Sequence, residues 1–388
     1  MFVVLLFLFA IVCSLMSQLP FFVEGGGGGV LKVMWIFPFA FLAAKWPRDI
    51  FSRALLPSFL FLFVFGFYCF AMQSITDKHY IGTDLTNVGI STMITVVSYM
   101  FWKRHGSNKV LSLITVFVLI SCLILANVVN NTYMAEMDIM SRVYVYQEKN
   151  STSTILYCAV LLSFFVFSIR NRYIKYVIFL LILYLTYDIM ILRSRATIIG
   201  FAFVLYYFVF KSRNTRVKVV SIFLTIAAVI IIFSIPSFYK VIVEGILFAA
   251  RDVEDFNDLS SGRTYLISEG IDMFTERIWF GRGNLYMDCM PLVMLVQYGV
   301  VGASVVFAFL FFIGKKVNAF LNNNNLFLVT FLLFYSFILN SLFEAQPPFG
   351  PGIKCFMLWM MIGFSMAELE ENKIDVNKQK SLYDMIKS

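Results

Sequence analysis

Charge is scarce in this chain. Only 14% of its 388 residues are charged and 60% are hydrophobic, whereas an ordinary globular protein has about 25% and about 45 to 50%. That balance points away from a water-soluble fold and makes lipid the expected solvent. Histidine is nearly absent, with His79 and His105 the only two. The six cysteines, Cys13, Cys69, Cys122, Cys158, Cys289 and Cys355, form no CxxC pair and have no His nearby, so neither a metal site nor a disulfide framework is expected. The apolar run 2–19 lacks a basic region before it and a small-residue cleavage pattern after it. It is expected to be a retained first helix, with the mature chain starting here. Gly25 to Gly29 lack the Lys-Ser/Thr ending and strand context of a phosphate loop and read as a flexible connection. No internal repeat or inverted pair of broken helices marks a secondary transporter. The net charge of +8 would suggest nucleic acid in a soluble protein, but the Lys and Arg residues sit between apolar runs, where they set topology. No nucleic-acid partner is implied.

What the chain does have is apolar windows near the length of about 20 residues that a helix needs to cross a bilayer. They fall at 2–19, 30–44, 54–75, 86–102, 110–130, 153–169, 174–192, 196–210, 217–235, 291–314, 326–343 and 353–366. The expected fold is therefore all-α, a polytopic transmembrane bundle of about 12 spans over residues 1–388, with a large polar loop at 236–286 and a tail at 368–388. Basic loops test the count, because a wrong number would put them on both sides. Arg48 and Arg53, Lys103 and Arg104, Arg170 and Arg172, Lys211 and Arg213, Lys315 and Lys316, and the lysines of the tail all fall on one side. Both termini and the tail are then cytoplasmic. The opposite side carries the glycine run, the loop around His79, the 236–286 loop and the Gln346-Pro347-Pro348 turn.

Arg193-Ser194-Arg195 breaks this pattern, lying between the seventh and eighth windows on the side that otherwise avoids short basic loops. Arginine at membrane depth costs about 2.5 to 3.5 kcal/mol on insertion scales, so it usually has a partner or a task. One reading is an anionic ligand. The other is a snorkelling pair neutralised by Asp188, two turns from Arg195 on one helical face. Within the long loop, 266–279 is amphipathic, with Leu266, Ile267, Gly270, Ile271, Phe274 and Ile278 on one face, as in an interfacial helix. Ser260 or Ser261 is its expected N-cap, which puts Arg263 in a first turn that already favours an anion. The guanidinium fork suits a phosphate oxygen; the alternative is a salt bridge to Asp252, Glu254, Asp255 or Asp258. Those acids lack calcium-loop spacing and read as a solvated loop. Asp288 lies at the outer mouth of the next span, placed either to act as a general base or to stabilise its own helix dipole.

Ser194-Arg195 closing one span, Ser261-Gly262-Arg263 in a long loop, Phe280-Gly281-x-Gly283, and Asp288 followed by Gly299-x-x-Gly302 stand in this order along the chain. Together they resemble the O-antigen polymerase and O-antigen ligase superfamily, in motif over residues 188–302 and in topology over the whole chain. A His is common in the ligase branch where Asp288 stands here, so the resemblance leans toward the polymerases, although Cys289 occupies a position where their pattern often has Asn. The resemblance implies a metal-independent glycosyltransferase at the periplasmic face of the bacterial inner membrane. Its partners are an undecaprenyl-pyrophosphate-linked oligosaccharide donor and acceptor, membrane lipid, and a chain-length regulator. Arg193, Arg195, Arg263 and Arg282 are then expected to bind pyrophosphate. Asp288 would position or deprotonate the acceptor hydroxyl, with Glu344 the reserve base. The rivals are a lipid-linked oligosaccharide flippase, an O-antigen ligase and, on the strength of Asp188, a small-solute transporter.

Overall fold

The computed structural model describes residues 2–76, 78–134, 146, 148–166, 172–211, 215–247, 262–285, 287–319, 321, 324–344, 348–350 and 355–387, and the regular structure among them is entirely helical. In the first half α1 (Phe2–Met16), α2 (Gly28–Lys45), α3 (Leu56–Ile75), α4 (Thr83–His105), α5 (Asn108–Val129) and α6 (Lys149–Leu162) follow one another. Then come α7 (Arg172–Ile191), α8 (Arg195–Lys211), α9 (Thr215–Ser234), α10 (Arg263–Glu276), α11 (Met290–Ala319), α12 (Asn325–Ser341) and α13 (Phe356–Lys387). Each apolar window coincides with one of these helices, and α10 lies in the long polar segment.

Among the described residues, six helices are long and apolar enough to cross a bilayer: α2, α3, α4, α7, α11, and α5 continued to Tyr133. The other windows give shorter or bent helices. α1 and α6 have 15 and 14 residues, and α8 and α12 have 17 each. At about 1.5 Å per residue, 17 residues reach about 25 Å of a core about 30 Å thick. α9 meets Pro236–Leu247 at a 95° bend across Ile235, where a proline follows that cannot continue the ladder. The outward surface is lipid-like, with Phe63 71%, Phe67 67%, Phe223 69% and Phe311 75% exposed on three different helices. Such side chains all round a bundle fit a multi-pass membrane protein.

α4 and α13 make the most extensive helix pairing in the structure. Small residues on α4 allow it. A Cβ on Gly363 of α13 would meet the Thr95 carbonyl oxygen at 2.5 Å and Ser98 Cβ at 2.8 Å, so the two backbones nearly touch, a contact that replaces the missing hydrophobic drive between helices in lipid. The pairing ends in a polar cluster. Asp49 accepts from Arg104 (2.6 Å) and faces Lys103 (3.5 Å), while Glu370 accepts from Ser52 (2.8 Å), Lys103 (3.3 Å) and the Tyr99 hydroxyl. Trp102 donates to Glu368 at 3.0 Å. The expected tail thus begins as a continuation of α13 whose acids are tied to the basic loops. Arg53, Lys315 and Lys316 share this end of the bundle.

The opposite end depends on a broken helix. Gly299 inside α11 adopts φ 63° and ψ −174°, which takes its neighbours out of the helical ladder. Segment 278–283 lies alongside the break. Arg282 N–H donates to the Val296 carbonyl (2.8 Å) and Gly283 N–H to that of Gln297 (3.0 Å); Val300 and Val301 donate to Ile278 (2.8 Å) and Trp279 (3.2 Å). Tyr68 from α3 donates to the Tyr298 carbonyl at 2.6 Å, and Tyr80 donates to Phe280 and Gly281 at 2.9 and 3.0 Å. Burial pushes the Tyr80 phenol above its ordinary pKa, which keeps it a donor. Unpaired backbone at this depth costs several kcal/mol per group, and the break is repaired by these contacts.

Three positions in this repair take only glycine. Gly281 and Gly299 have φ of 70° and 63°, and a Cβ on either would lie 2.3 to 2.4 Å from a carbonyl oxygen of the other segment. Gly283, at φ 84°, would meet the His79 carbonyl oxygen at 2.8 Å. The two glycine motifs are therefore halves of one joint. Gly281→Ala or Gly299→Ala is expected to lower stability by about 2 kcal/mol or more, seen as an earlier thermal unfolding in detergent. Gly89→Ala, on a helix with open space at the Cβ position, is expected to be neutral or to stabilise by up to about 1 kcal/mol. At the basic end, burial raises the Glu370 pKa, and its hydrogen bonds with Tyr99, Ser52 and Lys103 outweigh this and hold it below the usual value. A depressed carboxylate stabilises above its unfolded pKa of about 4.3 and loses that contribution as pH falls through the folded value. The drop in melting temperature of the wild type below about pH 4 is expected to be smaller in Glu370→Gln.

Candidate active site at the loop-bearing end

α10 folds back along α11 after the Gly299 joint and packs its Gly270 against Leu292 and Met287, where a Cβ would come within 2.7 Å of each. This contact selects the buried face. Leu266, Gly270, Met273 and Phe274 turn inward, whereas Ile267, Ile271 and Ile278 of the expected apolar stripe stay 39%, 51% and 42% exposed. The N-cap differs from expectation. Ser260 and Ser261 lie outside the described residues, as do Asp252, Glu254, Asp255 and Asp258; the cap is Gly262, left-handed at φ 76°, which makes Arg263 the first helical residue.

From there Arg263 reaches Asp288, Nε to Oδ2 3.4 Å, with 19% and 28% of the two side chains exposed. Asp288 sits two residues before α11, on the approach to its N-terminus. Glu344 enters at the same point, its carbonyl oxygen accepting the Met290 N–H at 3.0 Å. A carbonyl there satisfies a donor that the helix itself cannot. Glu344 is buried, with 8% exposed. Arg263, Asp288 and Glu344 thus gather around two helix N-termini.

Arg193 and Arg195 reach this end on other elements. α7 stops at Ile191 and α8 starts at Arg195, so Asp188 and Arg195 stand on separate helices and not on one face as the spacing suggested. Between them Arg193 takes φ 52°, a left-handed turn residue that reverses the chain. It is buried and its Nη1 donates a long hydrogen bond, 3.5 Å, to the Gly245 carbonyl. Asp188 is also buried, held by Asn130 Nδ2 at 2.7 Å, and its Oδ2 has no hydrogen-bond partner among the described residues. Tyr157 fixes the level of the arginines. Its hydroxyl donates to the Gly200 carbonyl at 3.1 Å and lies 2.6 Å from Ser336 Oγ, which sets α8 against α12. Arg195 lies five residues before Gly200 and Ser341 five after Ser336, about 7.5 Å along each helix. The antiparallel register therefore brings the Arg193–Arg195 turn to the level of the end of α12 and Glu344.

Arg282, the remaining expected anion ligand, turns its side chain to Glu276 at the end of α10. Gln346 and Pro347 lie outside the described residues; Pro348 contributes its carbonyl to Trp359 Nε1 at 2.8 Å. Several residues that build the site were not singled out in the sequence. Tyr68, Tyr80, Asn130 and Tyr157 are polar groups within or beside apolar helices, and that placement is the signal that marks them.

Because the Arg263–Asp288 pair is partly exposed and not bidentate, it is expected to contribute no more than about 1 kcal/mol. Arg263→Ala and Asp288→Ala should therefore insert, purify and unfold within about 4 °C of the wild type, as read by size-exclusion chromatography and thermal unfolding in detergent.

No curated protein matches the chain. The sequence profile of the family described as O-antigen ligase matches residues 179–295, which include Asp188, the Arg193–Arg195 turn, Arg263, Arg282 and Asp288. This match covers the motif order up to Asp288, short of Gly299 and Gly302, and supports membership of the chain in the O-antigen polymerase and ligase superfamily.

Proposed function

We propose that the protein is an O-antigen polymerase, a membrane glycosyltransferase that joins undecaprenyl-pyrophosphate-linked oligosaccharide repeat units at the periplasmic face of the inner membrane. Both termini are cytoplasmic in this reading, and twelve helices cross or enter the bilayer, the short ones tilted or in thinned lipid. The observation that carries it is the convergence of Arg263 and Asp288, 3.4 Å apart, with Glu344 beside the same helix start, at the end away from the basic loops. Membership of a superfamily of membrane glycosyltransferases supplies the reaction class.

The reaction asks the site for two things. The acceptor hydroxyl oxygen attacks the anomeric carbon of the donor glycan, and the bond from that carbon to the pyrophosphate oxygen breaks. Negative charge develops on the leaving pyrophosphate, where guanidinium groups and helix N-termini stabilise it more than they stabilise the ground state. In this reading Arg263, Arg193 and Arg195 bind the pyrophosphate without a metal. Arg282, engaged with Glu276, takes a lesser part by exchanging partners. Asp288 positions the acceptor hydroxyl or takes its proton, and Glu344 is the second candidate for that proton. Anion binding frees Asp288 from Arg263, so the observed pair is the resting arrangement.

The description of the matched family favours one second reading, an O-antigen ligase, which would transfer the finished glycan to a different acceptor. The glycan ladder of a strain lacking the gene separates the two. Complementation with the wild type should restore long ladders, and Arg263→Ala or Asp288→Asn, at matched membrane expression, should leave single repeat units through a loss of about 100-fold or more in rate. An unchanged ladder in the deletion strain would sink the polymerase reading. Loss of even the single unit from the cell surface, with lipid-linked glycan accumulating in the periplasm, would establish the ligase; accumulation on the cytoplasmic side would establish the flippase.

A further inference from the structure

The bundle has a second cationic feature, at its basic end, that the proposed chemistry does not use. Arg53 and Ala54 in the turn before α3, Phe312, Lys315, Lys316 and Ala319 near the end of α11, and Met366, Leu369 and Glu370 of α13 line one open cleft of about 870 Å³. Lys315 lies 16 residues, about 24 Å of helix, beyond the Gly299 break of α11, and Asp288 lies on the other side of that break, so the cleft is remote from Asp288.

Topology alone requires lysines and arginines on this face, but it does not require them to converge. Here Arg53 and the pair Lys315–Lys316, more than 250 residues apart in sequence, line one space. Its floor is apolar, formed by Ala54, Phe312, Met366 and Leu369. Lys316 Nζ lies 4.5 Å from the centroid of the Phe312 ring, which keeps the ammonium at the boundary between apolar wall and polar mouth. Glu370, the acid in the lining, is occupied on its other side by Ser52, Tyr99 and Lys103, so its charge is already balanced. A cationic rim above an apolar floor complements a molecule with an anionic head and a hydrocarbon body.

The geometry points to a binding site for an anionic phospholipid of the leaflet at the basic end, its phosphate held by Arg53, Lys315 and Lys316 and its acyl chain laid along Phe312 and Met366. A soluble phosphate has no use for the apolar floor, and a zwitterionic lipid meets the rim with no net charge.

The test uses the full-length protein in nanodiscs, with lipid adducts read by native mass spectrometry. The expected result is retention of phosphatidylglycerol over phosphatidylcholine, weakened about fivefold by Lys315→Gln and about 100-fold by the triple neutralisation of Arg53, Lys315 and Lys316, since each cation near an anionic surface contributes a factor of about five. Lys109→Gln, a neutralisation at the same end outside the cleft, should leave retention unchanged. Equal loss in Lys109→Gln, no preference for phosphatidylglycerol, or displacement of the lipid by millimolar inorganic phosphate would each overturn the proposal. Should the triple variant fail to fold in detergent, the single exposed substitution at Lys315 carries the same comparison.

Discussion

The architecture of the loop-bearing end depends on a helix that is broken inside the bundle and repaired from outside it. At Gly299 the ladder of α11 is interrupted, and segment 278–283 with the Tyr68 hydroxyl supplies the missing partners. In lipid there is no water to take their place, so the loop cannot leave without exposing backbone groups to hydrocarbon. That requirement anchors the C-terminal end of the long polar segment. α10 is thereby held against α11 through Gly270, and Arg263 is delivered to Asp288 at the far end of a 14-residue helix.

The two ends of the bundle handle charge differently. At the basic end the carboxylates of Asp49 and Glu370 are saturated with donors from α4 and the Ser52 loop, and the contacts tie α13 to its closest neighbour. At the other end the ionic groups are spread over helix termini that arrive from different directions, with Arg263 against Asp288 and a buried Asp188 whose Oδ2 has no hydrogen-bond partner among the described residues. The first pattern is that of a structural clasp. Exchangeable ion pairs beside two helix N-termini suit a site that must admit an anion and release it, and this is why the proposed transfer is located there.

Much of this was legible beforehand, and the reason differs by feature. The helices were readable because apolar runs in lipid have one way to satisfy their backbone, and each window is matched by a helix. Their adequacy as spans was less so, since the windows ignore where capping turns begin; α6 stops at Leu162 although apolar sequence runs on to Ile169. Arg263 and Asp288 were singled out as an anion ligand and a candidate base, but nothing in their 25-residue separation indicated that they meet. The acids of the preceding loop were the alternative partners for Arg263. One of the two readings of Arg195 paired it with Asp188 by helical spacing, and the left-handed turn at Arg193 is what defeats that count.

The sequence by itself determined that this is a helical chain with the apolar runs of a multi-pass membrane protein, and it marked the residues out of place in that pattern, because hydropathy and charge act locally and add along the chain. Only the tertiary structure decided what those residues do to one another. The glycine motifs became a joint because two segments lie close enough to exclude a Cβ, and Tyr157 set the level of Arg195 against Glu344 by bridging two helices. Arg53 found Lys315 across the bundle for the same reason: proximity between distant segments follows from packing, which no local pattern encodes.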